Sequence, residues 1–210
     1  VTQLDNSAEY NGTSWTAGND MPSEKWGAKG GGTQTAAYIC AGREAPGNAY
    51  APSTFEYDGT NFSTGGVVNS AVTLNGTGGT LTAGFKAGGS FPGAPSPTSG
   101  TGTTAHEQYD GTSWTNATSL SVGVRAHGHS GTQDNFFLAG GRSQGNATNT
   151  LTQKFDGTSF ATTGSLANGA NEWGANGTAT SGLVYGASSN NTEEYTGPTT
   201  TVNVDKFGTS

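Results

Sequence analysis

The sequence is short of what helical and membrane-spanning proteins are built from. Only 11% of its 210 residues are charged and 30% are hydrophobic, and it holds one cysteine and one methionine. A lone thiol, Cys40, leaves no partner for an internal disulfide. No apolar run approaches the ~18 residues of a membrane helix. Eight basic against fifteen acidic residues give a net charge of −7, which offers no electrostatic footprint for nucleic acid or an anionic lipid surface. What abounds instead is glycine, 36 residues of it, with Thr, Ser and Asn, all weak helix formers. A helical bundle is thereby excluded. Four Trp, seven Tyr and nine Phe supply the anchors that disordered chains lack. The first residue is Val1 rather than Met, which points to a processed chain or a piece of a longer one.

One phrase organises the chain. Tyr10-Asn11-Gly12-Thr13-Ser14-Trp15 returns as Tyr57-Asp58-Gly59-Thr60-Asn61-Phe62, as Tyr109-Asp110-Gly111-Thr112-Ser113-Trp114 and as Phe155-Asp156-Gly157-Thr158-Ser159-Phe160. A degenerate fifth copy is centred on Tyr195. A second marker keeps the same register: ten residues separate Gly32 from Gly42, Gly79 from Gly89, Gly131 from Gly141, and Gly177 from Ala187. Two markers in one register make an internal repeat.

Each marker has a physical reading. Asn-Gly or Asp-Gly between aromatics is a hairpin signal, because these residues tolerate the positive φ of tight turns. The runs before the glycine pairs, such as Tyr38-Ile39-Cys40 and Phe136-Phe137-Leu138-Ala139, are short, apolar and of strand length. Each unit therefore reads as four strands: Gly-rich, apolar, Tyr-bearing and Trp-bearing. Such a sheet cannot bury both faces alone, so the reading predicts an all-β propeller of antiparallel blades, about four and a half in this chain, with a β-solenoid as the alternative. Residues 1–198 would form the propeller and 199–210 a closing strand or the start of a further segment. The aromatics Tyr10, Trp15, Tyr57, Phe62, Tyr109, Trp114, Phe155, Phe160 and Tyr195 would form buried columns between blades. Residues 5–15 would seal the ring against the blade ending near Tyr195.

Four apolar residues, a glycine pair, then a spaced Tyr and Trp resemble the kelch motif of galactose-oxidase-like β-propellers. The wording of the repeats is closest to kelch-like repeats of marine bacteriophage virion proteins. Ala41 and Ala187 depart from the glycine pair, and Phe62 and Phe160 from the Trp. The resemblance implies a virion structural or adhesion protein of a tail fibre, spike or head decoration. Its location would be the virion surface or extracellular space, and its partners other virion subunits and host-surface glycans. A secreted lectin-like propeller is the alternative, and a copper-radical oxidase a more distant one.

No catalytic residue, cofactor or metal site is expected. Cys40 falls in register with Ala87 and Ala139, a small-residue position inside a strand. His127 and His129 share one strand face, but their equivalents, such as Ala28 and Gly30, form no cage around a metal. The turns within strand pairs are short and repeat closely, whereas the loops between second and third strands, at 43–52, 90–104, 142–149 and 188–191, vary in length. Variable loops on one face of a repeat scaffold mark its binding face. Arg43, Glu44, Tyr50, Phe91, Arg142 and Gln144 are the side chains there with most to offer a ligand.

Overall fold

The computed structural model describes residues 4–91, 101–143, 147–169, 173–186 and 192–196. A hairpin of β1 (Ala8–Tyr10) and β2 (Trp15–Ala17) comes first. The first four-stranded sheet joins β4 (Lys29–Thr33), β5 (Ala36–Cys40), β8 (Thr54–Tyr57) and β9 (Phe62–Thr64). Beside it, β3 (Lys25–Trp26), β6 (Arg43–Glu44) and β7 (Ala49–Tyr50) form a small sheet of their own. The second four-stranded sheet holds β10 (Gly76–Thr80), β11 (Ala83–Ala87), β12 (His106–Tyr109) and β13 (Trp114–Asn116). The third holds β14 (Gly128–Thr132), β15 (Asn135–Ala139), β16 (Leu151–Phe155) and β17 (Phe160–Ser165). Last comes a three-stranded sheet of β18 (Trp173–Thr178), β19 (Ser181–Gly186) and β20 (Thr192–Thr196). All pairings between these strands are antiparallel.

The repeated turn is closed by its own side chain. Asn11, Asp58, Asp110 and Asp156 each accept, through Oδ1, the amides two and three residues on, at 2.7–2.9 Å. The glycine that follows sits at φ between +91° and +95°, where a side chain would be strained. These backbone amides hold the carboxyls of Asp58, Asp110 and Asp156 below the ordinary aspartate range. They are turn residues.

Glycine in the first strands has a different cause. β4, β10, β14 and β18 lie side by side in that order. A Cβ on Gly78 would meet the Phe85 ring at 2.7 Å and the Gly131 carbonyl oxygen at 3.2 Å, so a side chain there would force the ring and the neighbouring strand to shift.

Between sheets, one side chain repeats as a knob. Tyr38, Phe85 and Phe137 occupy one register position on β5, β11 and β15. Tyr38 lies over Gly84 of the next sheet, donates to the Gly78 carbonyl at 2.7 Å and accepts the Phe85 amide at 3.1 Å. Phe85 stacks on Phe136 with ring centroids 3.9 Å apart. Phe137 covers Gly182, where a Cβ would come within 2.6 Å of its ring. Three buried clusters result, one per interface.

A second repeated tie was not foreseen. Two residues before each outer aromatic, Glu107, Gln153 and Glu193 reach back to the connecting backbone. Glu107 accepts the amides of Asn69 and Ser70 at 2.7 and 2.9 Å. Gln153 accepts from Val122 N at 2.8 Å and donates to Val122 O at 2.9 Å. Glu193 accepts from Ala167 and Asn168 at 2.7 and 3.2 Å. These side chains fasten each connection to the sheet that follows it.

The all-β class and the four-strand unit stand, but the propeller does not. Among the described residues the strands form six separate sheets, and none closes or curls into a circular arrangement. β18 has no contact with β4 comparable to those between successive first strands. Nor does the N-terminal hairpin seal the far end. It rests on the first four-stranded sheet, where Glu9 accepts from the Tyr57 hydroxyl and from Gln34 Nε2, the latter at 3.2 Å. Asn19 adds a hydrogen bond to Thr60 O at 2.9 Å. The reason is steric: β20 already pairs with β19 in the third-strand place, the place that β1 would need for closure. The aromatic columns are likewise uneven. Trp114, Tyr57, Tyr109, Phe155 and Tyr195 are buried and Phe62 and Phe160 half-buried, but Tyr10 and Trp15 are exposed, Trp15 by 71%. The expected closing strand at 199–210 and the side chain of Trp173 lie outside the described residues.

Candidate functional site

The variable-loop residues divide between two places. The first is the small sheet of β3, β6 and β7, where antiparallel register sets Arg43 opposite both Trp26 and Tyr50. The Arg43 guanidinium lies 4.5 Å from the Tyr50 ring centre and 5.4 Å from that of Trp26, and Nη2 donates to the Tyr50 hydroxyl at 2.9 Å. Such cation–π contacts hold the side chain in place. Its neighbour Glu44 is 2.7 Å from Lys25 Nζ and accepts from Ser53 Oγ. Partial burial works against the Glu44 carboxylate, but the Lys25 and Ser53 hydrogen bonds and the Lys25 charge outweigh it and keep the carboxyl below its ordinary range. Arg43 and Tyr50 are therefore engaged with each other, while the adjacent Glu44 is engaged with Lys25 and Ser53.

The second place is a cleft of about 480 Å³ where the 90–104 loop, the 121–123 connection and the start of the 142–149 loop meet. Phe91 stands in it, 43% exposed, beside Thr101, Thr103, Thr104, Ser121 and Ser143. Isolated bridges from Ser90 to Thr73 and Gly102, and from Thr103 to Val124, fix the walls. Arg142 is adjacent in sequence to Ser143, half-buried, and bridged through its backbone to Arg125 at 2.9 and 3.0 Å. Gln144 lies outside the described residues. The sequence pointed to Phe91 but not to the hydroxyls around it. They come from three separate stretches and share no motif.

The groups capable of chemistry sit elsewhere, in the interior. Burial pushes the Cys40 thiol up to about 12, so it stays protonated, and the side chain packs in the first core cluster. All three histidines are shifted down, chiefly by burial: His106 below its ordinary value, His127 to about 3 and His129 to about 4. Among the described residues no group of three or more His, Cys, Asp or Glu is placed to hold a metal ion.

These histidines make a pH prediction. The folded state keeps His127 and His129 neutral, while the unfolded chain protonates them near pH 6.5, so the unfolded state binds more protons as pH falls. Their contribution is complete above about pH 6.5 and is lost downward through the folded values. For His127 and His129 the slope approaches about 1.4 kcal/mol per pH unit each. Denaturant melts between pH 4.5 and 7.5 should show stability rising with pH, and His127→Gln should flatten that rise. A flat wild-type profile would show that the rings are solvated.

Compared with models of protein families the chain matches none, and no curated protein matches it in sequence. The expected kinship with kelch repeats and with phage virion proteins, viral tail-fibre identity included, is thereby overturned. Short turn phrases of Gly, Thr and Asp recur wherever tight hairpins repeat, and they carry geometry rather than ancestry.

Proposed function

We propose that the protein is a non-enzymatic structural and adhesive module, a stack of rigid sheets that presents loops for attachment within a larger extracellular assembly. The virion setting rested on the resemblance and goes with it; the adhesive reading rests on the Phe91 cleft. An aromatic face ringed by five hydroxyl side chains suits a polyhydroxylated, uncharged ligand. The ring stacks on the apolar face of a sugar while Thr and Ser exchange hydrogen bonds with its hydroxyls. The rigid sheets behind the loops hold that geometry with little ordering cost on binding.

A glycan array probed with the intact protein and with Phe91→Ala tests this reading. Binding to a subset of neutral glycans, weakened at least tenfold by Phe91→Ala, is the expected result. Silence across neutral glycans at high protein concentration, or binding indifferent to Phe91, overturns it.

A further inference from the structure

The Phe91 cleft has a neighbour on the same seam of backbone. Residues 101–106 run antiparallel to the connection at 116–124, bridged at Thr103 and Val124. Ala117 N donates to His106 O and Leu120 N to Thr104 O, both at 2.9 Å, and Val124 N to Thr103 O at 3.2 Å. The Phe91 cleft lies at the end of this seam where Thr101 and Gly102 face Ser121–Gly123. A second cleft, of about 310 Å³, lies at the other end, where Ala105 and His106 meet Asn116, Ala117 and Ser119. Thr103 and Thr104 line both. The two clefts are therefore successive stations along one line.

Their chemistry is complementary. The first offers the Phe91 ring; the second offers polar side chains, with Asn116 and Ser119 exposed and Ser70 half-buried. Ser70 is held by its amide, which donates to Glu107 Oε1 at 2.9 Å. Thr103 Oγ1 already accepts from Ala105 N at 3.0 Å, so the exposed Thr104 is the side chain that marks the junction. Among the described residues that line the two clefts, none is an acid, a lysine or an arginine. His106 is buried, and burial holds it below its ordinary value, so it adds no charge at neutral pH. The five residue steps from Thr101 to His106 span at most roughly 17 Å, which is longer than one sugar ring.

We infer that this groove takes a linear, uncharged oligosaccharide whose successive rings occupy the two clefts, rather than a single sugar. The inference rests on the adhesive reading of the Phe91 cleft and extends it. One ring stacks on Phe91, the chain passes Thr104, and a later ring exchanges hydrogen bonds with Asn116 and Ser119. An amide that both donates and accepts suits neighbouring hydroxyls of one ring. The later ring is tethered by the first, so its contacts add affinity without a second cost of immobilising a free molecule.

The probes are gluco-, manno- and xylo-oligosaccharides of one to six units, titrated into the intact protein by NMR, which reads millimolar affinities. In the series that binds, affinity should rise at least tenfold between one and three units and then level off. The double variant Asn116→Ala with Ser119→Ala alters two exposed side chains, and thermal melts check that it is folded. It should bind the single sugar within twofold of wild type and lose at least fivefold of its affinity for the three-unit chain. Phe91→Ala should weaken every length. Affinity indifferent to length, or a length gain that survives the double variant, overturns the groove, while dependence on Phe91 leaves the adhesive reading standing. Silence from all three series overturns both.

Discussion

Replacing Lys86 with leucine should destabilise the protein by about 3–5 kcal/mol, and adding Glu107→Gln should restore most of the loss. Lys86 and Glu107 face each other across β11 and β12, both fully buried, with Nζ 2.9 Å from Oε1. The contact is one of charge rather than a well-aligned hydrogen bond, since Nζ has no hydrogen-bond partner. Removing the cation alone strands a carboxylate in the core with only the Asn69 and Ser70 amides to hold it. The repeat supplies the control. At the same register the third sheet carries Leu138 opposite Gln153, and the first carries Ile39 opposite Phe55. Gln153 shows that a neutral amide can hold the connecting backbone. The pair Lys86→Leu with Glu107→Gln therefore recreates an arrangement that the chain already contains. Guanidinium denaturation at pH 7 of the wild type, both single variants and the double variant closes the cycle. A loss below about 1 kcal/mol for Lys86→Leu, or a double variant no better than the single, would show that the charges are hydrated or that leucine does not fit there.

That cycle also shows what the sequence could and could not disclose. The Asp-Gly phrases and glycine pairs are signals of local geometry. They placed hairpin turns at Asp58, Asp110 and Asp156 and gave the strand order of each unit, because a turn depends on residues within a few positions. The Lys86–Glu107 exchange for Leu138–Gln153 was equally present in the repeat. It stayed hidden because a lysine in an apolar register looks like an outward-facing one until both partners are placed. Closure was beyond reach for another reason. It depends on how many sheets stand side by side and on which strand place β20 occupies, and no single residue encodes either. For the Phe91 cleft the sequence offered the aromatic and the variable loop. The ring of hydroxyls exists only because Ser121 and Ser143, from separate connections, are carried to the same spot.

Trp114→Ala should cost about 3–5 kcal/mol, while Trp15→Ala should stay within about 0.5 kcal/mol, although the two residues share one repeat position. The sequence treats them alike and the packing does not. Trp114 is 6% exposed, stacked on Tyr109 at 4.8 Å and edge-on to Tyr38 at 5.7 Å. Its indole N–H donates to Thr54 Oγ1 at 2.9 Å, and its carbonyl accepts from Asn69 Nδ2 at 3.1 Å. Truncation removes the largest side chain of the first core cluster and leaves the Thr54 hydroxyl without its buried donor. The hole cannot collapse readily, because Tyr38 is itself pinned by hydrogen bonds to Gly78 and Phe85. Trp15 has the Tyr10 ring at 5.1 Å but little else around it, being 71% exposed. Paired thermal and denaturant melts of the two variants read the difference directly. Equal losses would mean that Trp15 is buried in solution. A small loss at Trp114 would mean that the first two sheets do not pack as they do here.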